Sequence, residues 1–220
     1  MRILLIDTCG EAGSVALADT AAAVPKVVSA VLPGRSASER LAATVRELAT
    51  AAEMQLTTIG AIAVVNGPGS FTGVRVGVSA AKGLCEALGI PVVAISRLEV
   101  LAGVAGGYVA ALLDAGRGEF YCGVYNGESC LREALLTKAE LIDLIADGGR
   151  VVVCEPHVAQ ALAEMSPLVV PAPSAEAALP IAIRRVAAKQ FEDVETLDAN
   201  YLRRTDAEIF AKQHSTGASR

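Results

Sequence analysis

Apolar positions along this chain fall into two regimes: short unbroken runs, and residues that recur every three or four places. The run 3–6 (Ile-Leu-Leu-Ile) ends in Asp7, a turn carries Gly10 and Gly13, and further runs cover 14–18 and 27–32. Continuous apolar runs bounded by Gly or charge predict buried strands. Leu41, Val45, Leu48 and Ala52 then recur at helical spacing behind Ser36-Ala37-Ser38-Glu39, which reads as a capping box. A strand is predicted at 61–65 and a helix at 72–88, with Gly89 as its left-handed terminator and Pro91 just beyond. The strand 92–95 follows, and Ser96-Arg97-Leu98-Glu99 reads as a second capping box opening a short helix that dissolves at Gly103, Gly106 and Gly107.

The pattern then restarts. Val109 to Asp114 repeats the layout of Ile3 to Asp7, a turn with Gly116 and Gly118 follows, and 120–125 supplies the partner strand. Thr137-Lys138-Ala139-Glu140 opens a helix, 151–154 is a strand, and 175–190 is an Ala-rich helix. Two α/β halves, each opening on strand, Asp, turn and hairpin partner, indicate an internal duplication. The expected division is an N-terminal lobe at 1–103, a C-terminal lobe at 104–212 and a disordered tail at 213–220.

Composition narrows the class. At 220 residues, 53% hydrophobic and 20% charged, the chain can bury a sizeable core, and its small Ala and Val residues suit close packing of helix on sheet. Some of the apolar surplus is expected to lie under a partner. No run reaches the roughly 18 apolar residues of a membrane span. No signal-peptide h-region is visible either. Five scattered cysteines without a CxxC pair read as reduced thiols, which places the chain in the cytoplasm. A net charge of −5 carries no nucleic-acid footprint, so nucleic-acid binding by this chain alone is expected to be weak.

Candidate chemistry centres on Asn66-Gly67-Pro68-Gly69-Ser70-Phe71-Thr72-Gly73-Val74-Arg75. A glycine-rich turn from strand to helix points backbone amides at a possible anion. Val74 stands where the phosphate-loop Lys belongs and Thr72 where the last Gly of GxGxxG belongs, so a tight connection packed on a neighbouring backbone is at least as good a reading. Asp7 and Asp114 end the first strand of each half, where ligands of α/β folds bind, yet Asp also caps turns. Two histidines, His157 and His214, supply no HExxH or HxxxH pair, which disfavours a metalloprotease. Ser70 lies in no GxSxG elbow, and no His or Asn stands in a recognisable relation to any Cys. Gly73, Gly77, Ser79, Ala80, Ala81, Gly83 and Ala87 give the 72–88 helix very small side chains, suited either to another helix or to the chain's own sheet.

Ile6-Asp7-Thr8 with 14–17, the 67–77 stretch, Ala81-Lys82-Gly83-Leu84, Asp114 to Tyr121, Asn200-Tyr201-Leu202-Arg203 and Asp206-Ala207-Glu208 resemble the TsaB (YeaZ) family, over residues 1–209. The resemblance implies an actin-like ATPase (sugar kinase/Hsp70) fold of two duplicated α/β lobes. It implies a non-catalytic subunit in the synthesis of N6-threonylcarbamoyladenosine at position 37 of tRNA. The partners would be a TsaD-type transferase carrying the two-histidine metal site and a TsaE-type ATPase, with ATP and Mg used by the complex and tRNA reached through it. The chain departs from the family at Ala37, where a His is usual, and at Gly116, where an Arg is usual.

The expected partner surface is a set of exposed rows on the two helices, with Arg40, Leu41, Thr44, Val45, Leu48, Val74, Val78 and Lys82, which could also form a homodimer. A vestigial nucleotide cleft would gather Asp7, Thr8, Gly67, Gly69, Ser70, Thr72, Gly73 and Asp114. If that cleft is active, the alternative is a small-molecule kinase or ATPase of the same fold. No metal and no catalytic residue is assigned.

Overall fold

The structure, a computed structural model, describes residues 1–33, 37–145 and 149–202. Ser36 of the first expected capping box, the tail 213–220 and the motif residues Arg203 and 206–208 lie outside the described residues.

The first half contains β1 (Arg2–Asp7), β2 (Gly13–Asp19), β3 (Lys26–Leu32), α1 (Ala37–Ala51), β4 (Ile59–Val65), α2 (Phe71–Leu88), β5 (Val92–Ile95) and α3 (Arg97–Ala105). The second contains β6 (Tyr108–Gly116), β7 (Glu119–Asn126), β8 (Ser129–Thr137), α4 (Lys138–Ile145), β9 (Arg150–Val153), α5 (Pro156–Ala161), β10 (Leu168–Val169) and α6 (Leu179–Ala187). The sheets run β3-β2-β1-β4-β5 and β10-β9-β6-β7-β8, the same order in each half once β1 is matched to β6. In both, a meander of three antiparallel strands is extended by two parallel ones. In the first sheet the parallel strands β1, β4 and β5 are buried on both faces, which explains their unbroken apolar runs.

The halves exchange their last helices. α3, from the first half, packs Leu98, Leu101 and Ala102 with Val109, Ala111 and Leu113 of β6. α6, from the second, returns Leu179, Ile181 and Ala182 to the core of the first sheet, and Leu197 joins them. Glu99 of α3 is buried and forms ion pairs with Arg184 at 3.0 Å and Arg185 at 2.5 Å on α6. Arg184 also reaches Glu128 in the β7–β8 turn, at 2.8 Å.

Local signals hold at several element ends. Ser70 caps α2 by accepting from Gly73 N–H, and Gly89 ends that helix at φ 65°. Thr137 and Glu140 form a reciprocal capping box, Thr137 N–H donating to Glu140 Oε2 at 2.7 Å. Ser96 caps α3 through Leu98 N–H, but Glu99 pairs with the two arginines, so only half of the expected box forms. The Ala-rich segment expected as one helix at 175–190 is a 3-10 turn at Glu176–Ala178 leading into α6. Its continuation 192–200 lies across the first sheet, where Glu192 N–H donates to Val92 O and Asn200 N–H to Asn66 O.

Candidate functional site

The glycine loop between β4 and α2 lies directly against the turn between β1 and β2. Ser70 N–H donates to Cys9 O at 2.8 Å, and Thr8 Oγ1 donates to Gly73 O at 2.6 Å. A Cβ added at Gly69 would overlap Cys9 O, one at Gly73 would overlap Thr8 O, and one at Gly77 would overlap Thr8 Oγ1. These three glycines are needed for backbone to meet backbone. Residues 8 and 9 lie directly against the loop backbone, and Ser70 Oγ already takes Gly73 N–H. The loop also lacks the lysine of a phosphate-binding loop, Val74 standing in its place.

The two strand-end acids close matching turns. Asp7 Oδ1 accepts from Cys9 N–H at 2.8 Å, and Asp114 Oδ1 accepts from Gly116 N–H at 2.9 Å. Their surroundings differ. Asp7 is buried, and burial raises its carboxyl above the ordinary value, with the Arg97 guanidinium and the Cys9 N–H pulling it back. Asp114 is exposed; its Oδ2 meets His157 Nε2 at 3.2 Å, while its N–H donates to Glu155 Oε2 at 3.0 Å.

Thr8, Gly69, Ser70, Thr72, Gly73 and Asp114 line one open cleft of about 1250 Å³; Asp7 and Gly67 are buried. The cleft also takes in Cys9, Gly10, Glu11, Arg97, Cys154, Glu155 and His157, residues from both halves. The thiols there are held protonated: burial pushes Cys9 far above its ordinary value and Cys154 to about 11. That disfavours a thiolate nucleophile. Among the described residues, no group of three or more His, Cys, Asp and Glu gathers as a metal site would require.

The expected helix rows need correction in one respect. Leu41, Thr44, Val45 and Leu48 of α1, and Val74 and Val78 of α2, are buried within the chain itself, not on an exposed row. The helical apolar stripe that suggested them is the one that packs on the chain's own sheet, and it belongs to the first core. Arg40 is exposed, while Lys82 Nζ donates to Glu195 O at 2.9 Å and Leu197 O at 3.2 Å, tying down the C-terminal segment. The small residues of α2 divide in the same way. Gly73, Gly77 and Ala81 face inward, whereas Ser79 is exposed and Gly83 opens onto empty space. The exposed row is Phe71, Arg75, Ser79 and Gly83. At its head the Arg75 guanidinium stacks 3.4 Å from the Phe71 ring centroid and 5.4 Å from that of Tyr201.

Arg97 is the residue that pattern reading passed over, because Ser96-Arg97-Leu98-Glu99 already had an explanation as a cap. Its position at the start of a helix that is otherwise apolar but for Glu99 was the available signal. Another polar group, Glu133, emerges only in three dimensions, and it gives Asn200 of the C-terminal motif a partner. Glu133 accepts from Ser96, Tyr125 and Asn200, joining the second sheet, α3 and the C-terminal segment.

Two sheets of one order, facing each other across a cleft and exchanging their last helices, define the duplicated actin-like fold of the sugar kinase and Hsp70 class, here with the glycine loop packed on the turn after β1. The family model described as "TsaD: tRNA N6-adenosine threonylcarbamoyltransferase" matches residues 24–166. The solved structure of YeaZ from Pseudomonas aeruginosa superposes with a TM-score of 0.77 at 30% identity, covering 91% of this chain and 99% of that one. The chain is 37% identical over 157 residues to the tRNA threonylcarbamoyladenosine biosynthesis protein TsaB of Escherichia coli, covering 64% of each. It is 34% identical over 139 residues to the protein of that name from Bacillus subtilis, covering 62% of this chain and 60% of the relative. The chain belongs to the TsaB (YeaZ) family. Its matches span less than two thirds of the length of these two curated relatives.

Proposed function

We propose that this chain is a non-catalytic, activating subunit in the synthesis of N6-threonylcarbamoyladenosine at position 37 of tRNA, paired with a TsaD-type transferase. The observation that supports this reading is the packing of the glycine loop on the turn after β1: Thr8 and Cys9 hold Gly73 and Ser70 by hydrogen bonds, and Ser70 already caps the N-terminus of α2. A helix fixed in that way serves better as a docking element than as a catalytic cradle.

In this proposal the transferase approaches along the exposed row Phe71, Arg75, Ser79 and Gly83, with Arg40 of α1 beside it. Leu41, Thr44, Val45, Leu48, Val74 and Val78 support that surface from beneath, and Lys82 anchors the strap that borders it. The small side chains at Ser79 and Gly83 let a second helix come close; in the partner's absence a second copy of this chain uses the same face. A TsaE-type ATPase joins the assembly, which works in the cytoplasm, consumes ATP with Mg and brings the tRNA to the transferase. Among the described residues no helix is long and apolar enough to cross a membrane.

Reconstitution tests the proposal. Purified transferase, an activated threonylcarbamoyl donor and tRNA are expected to form the modified base at a rate that depends on added chain. The same rate with and without it would reject the subunit role.

A further inference from the structure

The cleft contains a cation that the closed loop and the subunit role leave unused. Arg97 is only 6% exposed, lines the cleft, and its Nε–H has no hydrogen-bond partner among the described residues. A guanidinium cannot shed its charge to suit a dry site, so a buried one calls for an anionic acceptor. Asp7 acts on it through space but is already engaged with Cys9 N–H, and the two form no ion pair among the described residues. Burial keeps the Asp7 carboxyl protonated to higher pH than usual, which weakens its value as a counter-charge. Gly10 leaves the guanidinium uncovered on one side: a Cβ there would stand 2.9 Å from Arg97 Nη2.

The mouth of the same cleft has the opposite sign. Glu11 and Asp114 are exposed, Glu155 is half-buried, and all three line it, with His157 the one further basic side chain in the lining among the described residues. A deep cation beneath a carboxylate rim repels a polyanion and suits a ligand carrying one negative and one positive end. We propose that Arg97 forms the floor of a site for the carboxylate of a small zwitterion of the free amino acid class, whose ammonium end faces Glu11, Asp114 and Glu155. The arginine fork takes a carboxylate through paired N–H donors, and the guanidinium borders the cleft. The site is independent of the subunit role and is tested on the isolated full chain.

The experiment is thermal unfolding in glycine, sodium acetate, ATP with Mg, or sodium chloride at matched ionic strength. Glycine is expected to give a saturable rise in Tm of roughly 3–6 °C at ten times its dissociation constant. Acetate should give a smaller rise and ATP none beyond salt, and Arg97→Gln should abolish the glycine effect. No glycine response beyond that of salt would overturn the proposal, and so would a response that survives in Arg97→Gln. An ATP response larger than that of glycine and dependent on Arg97 would overturn the zwitterion assignment. Should Arg97→Gln fail to fold, arginine Nε–H resonances of the unaltered protein decide: one of them should move with glycine and not with salt, and no movement rejects the site.

Discussion

Thr8 donates its hydroxyl to the carbonyl of Gly73 at 2.6 Å, and the same glycine carries no Cβ because one would overlap the carbonyl of Thr8. One hydrogen bond and one steric exclusion thus lock the first turn of α2 to the turn after β1.

Gly73 is the place to measure that lock. In an open helix Gly→Ala stabilises by about 1 kcal/mol through propensity. At Gly73 the overlap with Thr8 reverses the sign, and Gly73→Ala is expected to cost about 1–3 kcal/mol as an overpacked contact. Gly83→Ala, with nothing within 4 Å, is the control and should gain about 0.5–1 kcal/mol. Thermal unfolding of the two variants should move Tm in opposite directions; parallel shifts would show that the loop is not closed as described.

Much of this fold can be read from the chain, because a strand buried on both faces leaves an unbroken apolar run. β1, β4, β5 and β6 are of that kind, and the glycines at 10, 13, 116 and 118 mark the hairpins between the meander strands. β8 escaped because it is an edge strand: Ser129-Cys130-Leu131-Arg132 is exposed throughout, and its place is set by pairing with β7. The exchange of α3 and α6 could not be read, since Glu99 and its arginines are 85 and 86 positions apart. The site was half legible. The glycine loop and both aspartates stand out in sequence, but whether a loop cradles a ligand or its own neighbour depends on residues some sixty positions away.

Asp7 gives a pH signature. Its folded carboxyl is raised by burial, so the folded state holds this proton to higher pH than the unfolded chain does. The stability contributed by the neutral form is then complete below the unfolded value and is lost as pH rises through the folded one. Asp7→Asn keeps an oxygen for Cys9 N–H and removes the ionisation. Chemical denaturation from pH 4 to 8 should show the variant gaining on the unaltered protein as pH rises; a constant difference would contradict the burial argument.

Lys82 holds the C-terminal strap by two carbonyls, on Glu195 and Leu197, and the strap is further pinned where Asn200 N–H meets Asn66 O at 2.7 Å. Lys82→Met removes the charge-assisted bonds while keeping the stem. With one end of the lysine in solvent the loss should be about 1 kcal/mol. Hydrogen exchange at Asn200 N–H is expected to quicken by roughly fivefold, the rate equivalent of that energy. Unchanged exchange would mean that the strap is held elsewhere.

The docking face can be separated from stability because the last position of its row, Gly83, has no side chain. Val78→Glu is unsuitable for this purpose: Val78 is 5% exposed, and a buried carboxylate would destabilise the chain and remove partner binding without testing contact. Gly83 is exposed, lies within α2 and has nothing within 4 Å, so Gly83→Arg costs nothing in packing and improves helix propensity. If a helix of the transferase crosses α2 closely, an arginine at this point holds it off, because close approach of two helices depends on small residues at the crossing. Gly83→Arg should therefore melt no lower than the unaltered protein, yet co-purify with the transferase at least tenfold less and fail to support base formation. Retained co-purification by a fully folded Gly83→Arg would move the interface off the exposed row of α2.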